Sequence, residues 1–150
     1  MKIKSITINA PLEITPVEER IYDLMKDLEV SIVTDDGVYR YTLKKGFRTN
    51  FRSGSNIIDC FVPHIGKQMV AIAYLIHDAN YNSSDTCSHL VSKELADKLL
   101  EAMLVYAGVS KVKAKIVKKS VQWFGQSAYD EYDDICKHNQ GLYWFRWDSK

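Results

Sequence analysis

Gly66-Lys67-Gln68-Met69-Val70-Ala71-Ile72-Ala73-Tyr74-Leu75-Ile76-His77-Asp78-Ala79-Asn80-Tyr81 is followed, after a polar loop, by Ser92-Lys93-Glu94-Leu95-Ala96-Asp97-Lys98-Leu99-Leu100-Glu101-Ala102-Met103. The first segment reads as an apolar helix that ends in a His-Asp pair. The second reads as an amphipathic helix with Asp97 on or beside its apolar stripe. Titratable groups set against a core cost free energy unless they are partnered. A helix ending in His-Asp beside a second helix with an inward acid therefore marks a candidate site. The short connection predicts that Met69–His77 and Leu95–Met103 pack antiparallel.

Working outward toward the N-terminus, Lys2–Asn9 alternates as a strand. Val30-Ser31-Ile32-Val33-Thr34 and Val38-Tyr39-Arg40-Tyr41-Thr42-Leu43 flank Asp35-Asp36-Gly37, a strong hairpin turn. Between these strands, Ile21, Leu24, Met25 and Leu28 fall at helical spacing, and Pro16 is placed to precede a first turn, which predicts a helix over Arg20–Glu29. Glycine and serine in the Gly46–Ser55 segment indicate a shaped loop. Ile57, Ile58, Phe61 and Val62 suggest a short apolar turn before Pro63.

Toward the C-terminus, Ser92 is a plausible N-cap and Gly108 a suitable helix stop. Ser110 begins a third helix, Lys111–Trp123, with Val112, Ile116, Val117 and Val121 inward and a lysine face outward. An acidic stretch, Tyr129–Asp134, precedes an aromatic run, Leu142–Trp147, for which burial of Trp144 and Trp147 against the body or in an oligomer is expected. The layout is α+β: a small N-terminal β-hairpin or meander region, then a helical C-terminal half whose antiparallel helix pair carries His77 and Asp97. One domain over 1–150 is expected, with 1–55 mainly β, 56–132 mainly α and 133–150 an aromatic tail.

Composition removes several function classes. A net charge of +1 argues against a generic polyanion binder, and no strong nucleic-acid signal is present; the Lys111–Lys119 face reads first as a solvated face. No stretch has the run of apolar residues a membrane span requires, and the N-terminus lacks a signal-peptide pattern. Cys60, Cys87 and Cys136 are odd in number and widely spaced, with neither metal-knuckle pairing nor a disulfide framework. A reducing cytosol is the simplest setting. His64 and His89 sit near loops and read as surface residues.

Two readings of the His-Asp pair stand side by side. Successive helical residues do not face one another, so Asp78 is poorly placed to orient His77, and Asp97 on the neighbouring helix is the better partner. A carboxylate bonded to an imidazole holds its tautomer, which is the arrangement of a general base. The alternative is a buried histidine satisfied by an acid, without catalysis.

Four segments together resemble an uncharacterised family of tailed-bacteriophage proteins, domain of unknown function 1353. They are Gly46-Phe47-Arg48-Thr49-Asn50-Phe51-Arg52-Ser53, His77-Asp78-Ala79-Asn80-Tyr81, Ala96–Met103 and Val121-Gln122-Trp123-Phe124-Gly125. The family pattern is a Gly-Phe-x-Thr-Asp-x-x-Ser loop, His-Asp-x-x-Tyr, Ala-Asp-x-x-Phe-x-x-Ala-Met and an aromatic-Gly ending. The resemblance implies a phage origin, hence host cytoplasm or virion, and strand structure where Arg20–Glu29 shows helical spacing. A weaker likeness is to secreted calcium-dependent phospholipases, which pair a His-Asp-x-x-Tyr helix with an antiparallel helix bearing an acid. That likeness implies that His77 activates water, Asp97 orients it, Tyr81 supports the dyad and Asp78 binds a calcium-like divalent cation. Asn50 stands where the loop acid belongs, which removes one charge from a hard-cation site. Three classes follow: a hydrolase or degenerate hydrolase-like protein; a non-catalytic virion or assembly component; and a counter-defence protein that binds or cleaves a host nucleotide signal. In the third, Arg48, Asn50, Arg52 and Ser53 would hold an anionic small molecule.

Overall fold

The computed structural model describes residues 1–51, 68–86 and 88–149. The turn signal at Asp35-Asp36-Gly37 closes a hairpin between β4 (Leu28–Thr34) and β5 (Gly37–Leu43), with Val33 opposite Val38 and Leu28 opposite Leu43. Alternation decides the faces: Leu28, Val30 and Ile32 from β4 and Tyr39, Tyr41 and Leu43 from β5 are buried. β1 (Ile3–Ile8) pairs on the far side of β4, and β7 (Tyr143–Ser149) pairs on the far side of β5. The result is an antiparallel sheet in the order β1-β4-β5-β7. A second sheet, β2-β3-β6, is built from Ile14–Glu18, Ile21–Leu24 and Arg48–Thr49.

The helix expected over Arg20–Glu29 is instead β3, a turn and the start of β4. Backbone groups there are satisfied by other segments: Leu24 N–H donates to Phe47 O, Gly46 N–H to Leu24 O, and Met25 N–H to Glu13 O. Long-range pairing overrides a spacing that two faces can share, since Leu24 and Leu28 are buried while Met25 is 48% exposed. Pro16 lies in β2, an edge strand of its sheet, next to a register shift, which is a position where a strand tolerates proline.

The helical half begins with α1 (Gln68–Tyr81), buried at every position from Val70 onward. A helix that is apolar all round belongs at the centre of a core. Val70, Ile72, Leu75 and Ile76 share one apolar cluster with the inward strand residues and with Leu99, Leu100, Met103 and Leu104 of α2 (Lys93–Tyr106). Ser92 caps α2 by accepting from Leu95 N–H at 3.3 Å. α3 (Lys111–Phe124) packs on α2 through Ala114, Val117, Ser120 and Val121. Its inward face is rotated from the expected one: Val112 is 70% exposed and Ile116 only half-buried, while Ala114 and Ser120 are buried beside Val117 and Val121. Two short helices follow, α4 (Gln126–Asp130) and α5 (Asp134–His138), before the chain returns as β7. The arrangement is α+β, with antiparallel strands preceding the helices.

The aromatic tail is a strand rather than a cover. Tyr143 and Phe145 share the core face with Leu43 and Tyr41, whereas Trp144, opposite Thr42, faces away and is 51% exposed. Trp147, at the sheet margin, is 50% exposed beside Gly37, where an added Cβ would meet the indole Nε1 at 2.7 Å. The two tryptophans are therefore not buried against the body.

Candidate functional site

His77 and Tyr81 are four residues apart on α1 and so lie on one face of it. That face meets α2. His77 Nε2 is 2.9 Å from Asp97 Oδ1, and the Tyr81 hydroxyl donates to the same oxygen at 2.7 Å. Lys93 Nζ donates to the other carboxylate oxygen at 2.8 Å and lies 5.8 Å above the Tyr81 ring. Since Tyr81 meets Lys93 and His77 meets Asp97, contacts run in opposite order along the two helices, which are antiparallel. Lys93 also donates to Val121 O at 3.1 Å, tying in the last turn of α3.

Electrostatics fix the charge states. Burial lowers the His77 pKa below its ordinary value, against the pull of Asp97. Burial opposes ionisation of Asp97 too, but hydrogen bonds from His77, Lys93 and Tyr81 outweigh it and hold the carboxyl below its usual range. Burial and the Asp97 charge raise the Tyr81 phenol, so it stays a donor. The pair is thus a carboxylate and a neutral imidazole. An ionised carboxylate only accepts, so Nε2 carries the ring proton and Nδ1 is the basic nitrogen.

Asp78 points elsewhere. It is buried and accepts from the Thr49 hydroxyl, whose oxygen in turn accepts Phe51 N–H at 3.0 Å. Phe51 holds φ +51°, a left-handed conformation rare for a side-chain-bearing residue. Burial raises the Asp78 pKa to about 7, opposed by the Thr49 and Phe51 bonds. Among the described residues, no group of three or more His, Cys, Asp or Glu side chains could hold a metal. Among the described residues, one carboxylate engaged by Thr49 falls short of the six or more oxygens that a hard cation takes.

The loop residues separate. Arg48 forms a two-point ion pair with Asp23, at 2.7 and 2.9 Å, so its fork is turned to β3. Asn50 is half-buried directly after Thr49. Arg52, Ser53, the Ile57–Val62 turn, His64, Cys60 and Cys87 lie outside the described residues. His89 is not a plain surface residue: its ring stacks on Tyr129 at 3.7 Å, and Tyr129 packs edge-on to Tyr81.

Four further residues shape this region: Lys93, Thr49, Asn139 and Gly125. Lys93 had a local signal, since it stands four residues before Asp97. Thr49 had only its place in the loop motif. Asn139, fully buried, exchanges hydrogen bonds with the backbone N–H and C=O of Arg48 and donates to Asn82. Nothing in the sequence marks a contact between residues so far apart. Gly125 closes the aromatic-Gly segment, and an added Cβ there would meet the Tyr81 hydroxyl at 2.9 Å and Val121 O at 2.4 Å. That glycine makes room for the phenol that Asp97 accepts.

A family model matches residues 21–121, well over half of the chain and a span that holds Thr49, His77, Asp78, Lys93 and Asp97. The chain belongs to the family described as "Protein of unknown function (DUF1353)". The DUF1353 match opens at the first residue of β3 and closes at Val121, the carbonyl that receives Lys93. No curated protein and no solved structure was found to match the chain.

Proposed function

We propose that this DUF1353 protein is a hydrolase, or is built as one, with His77 Nδ1 as the general base. The observation that carries the reading is the Asp97 carboxylate, which takes His77, Tyr81 and Lys93 together. Three donors fix its position, and it in turn fixes the imidazole tautomer. Such a group takes a proton from water or a substrate hydroxyl, while Asp97 stabilises the imidazolium that forms. The likeness to calcium-dependent phospholipases supports ester or phosphodiester bonds as the substrate class, without a role for calcium at the described residues. The resemblance to tailed-phage proteins supports action in an infected bacterial cell or in the virion.

One observation favours a second reading, a pair that stabilises the fold: the His77 and Asp97 side chains are 0% and 1% exposed. Buried ion pairs and networks serve structure as well as chemistry. The loop-based anion site loses ground, because Arg48 is held by Asp23.

A panel of chromogenic carboxylic and phosphodiesters separates these readings. The catalytic reading expects turnover that falls by orders of magnitude in both His77→Asn and Asp97→Asn while each variant still folds cooperatively at the assay temperature, since members of a catalytic unit act together. Absence of turnover on every ester class, with a stability loss of about 2–4 kcal/mol in each variant, would replace it with the structural reading.

A further inference from the structure

A second feature lies away from the His77 network and stands independently of it. α2, α3 and the start of β1 enclose a groove of about 750 Å³. That is the size of a small-molecule site. Its apolar lining is Met1, Ile3, Ala102, Val105 and Tyr106, and its charged lining is lysine apart from Glu101. Of the basic groups, Lys118 is matched by Glu101 at 2.5 Å and Lys98 by Glu94 at 2.6 Å. Lys2, Lys111 and Lys115 take part in no ion pair among the described residues.

The placement of Lys111 runs against helix electrostatics. It is the first residue of α3, where the positive end of the dipole favours acids, and the first turn of α3 contains none. A cation there adds to the field of the dipole. The concentration of charge is also local, since the whole chain carries only +1. A long polyanion is drawn by an extended basic surface, whereas a compact basic groove with an apolar wall suits a small anion.

We propose that this groove binds a small phosphate-bearing molecule with an aromatic or apolar group, of the nucleoside polyphosphate class. Lys2, Lys111 and Lys115 take the phosphates, and Tyr106, 42% exposed, offers its ring to the flat group. Replacing Lys111 and Lys115 by Ala removes no ion pair and places good helix formers in α3, so the variant folds.

The test is calorimetric titration of the full chain with adenosine triphosphate. The expected result is saturable one-to-one binding, weakened by added salt and weakened about tenfold or more by Lys111→Ala/Lys115→Ala. Lys119→Ala, on the exposed part of α3 outside the groove, should leave it unchanged. Tyr106→Ala should weaken the nucleotide and spare inorganic triphosphate. Absence of saturable binding at millimolar nucleotide would overturn the proposal, as would equal loss in Lys119→Ala. Binding of a single-stranded oligonucleotide or of phosphatidylglycerol vesicles without binding of the nucleotide would overturn it in favour of a polymer or a membrane surface.

Discussion

Replacing Tyr81 by Phe removes one hydroxyl and leaves the ring in place against Tyr129. Asp97 Oδ1 would keep His77 as partner and lose its second donor. The expected cost is about 1–2 kcal/mol in chemical denaturation, typical of a lost bond to a charged acceptor. Gly125→Ala should act on the same bond from the other side, because its Cβ would press on the Tyr81 hydroxyl and on Val121 O. A double-mutant cycle of the two changes should therefore be non-additive by at least about 0.5 kcal/mol. Asp78 makes a separate prediction with the opposite sign from an ordinary carboxylate. Its pKa is raised on folding from 3.8 to about 7, so the folded state binds more protons across that interval. Its contribution to stability is full below 3.8 and is lost as pH rises toward 7. At about 1.4 kcal/mol per unit, the swing is a few kcal/mol. Wild type should therefore gain stability relative to Asp78→Asn as pH falls from neutral toward 4; a pH-independent difference between the two would contradict this. His77, whose pKa is lowered, acts the other way, and its stabilisation is lost as pH falls below 6.5.

At the scale of elements, β7 is more than a tail. Its residues pair with β5 from Tyr143 to Ser149, and Tyr143 and Phe145 pack against the core. Deleting residues from Gly141 onward should lower the melting temperature by several degrees, since it exposes the edge of β5 and uncovers Tyr41 and Phe47. An unchanged melting temperature would mean that the strand is not docked in solution. The β4–β5 hairpin was legible because turn chemistry and alternation agree over a short range. α1 and α2 were legible because their apolar runs are long, and α2 also carries a local cap in Ser92. β3 and β7 were not, because a strand's partner lies elsewhere in the chain: the ladder at Leu24 depends on Phe47, and the one at Phe145 on Tyr41. The rotation of α3 was equally hidden, since Ala114 and Ser120 are too small or too polar to signal an inward face.

For the whole molecule, the sequence carries the His77, Asp97 and Tyr81 half of the site, because helical geometry at spacing four is predictable. It does not carry the Thr49–Asp78 contact, the Asn139–Arg48 contacts or the room that Gly125 leaves for Tyr81, which depend on how loops meet helices. The fold places two chemically distinct regions on α2: a buried charge network around Asp97, and a basic groove lined by Lys98, Val105 and Tyr106. No helix among the described residues is long and apolar enough to cross a membrane. Nuclear magnetic resonance of isotope-labelled histidine nitrogens measures the protonation state of the His77 ring directly, with His77→Gln assigning the signal. The expected result is a neutral His77 at pH 7, protonated on Nε2, with a pKa below the ordinary 6.5. A ring protonated on Nδ1, or an imidazolium at pH 7, would contradict it.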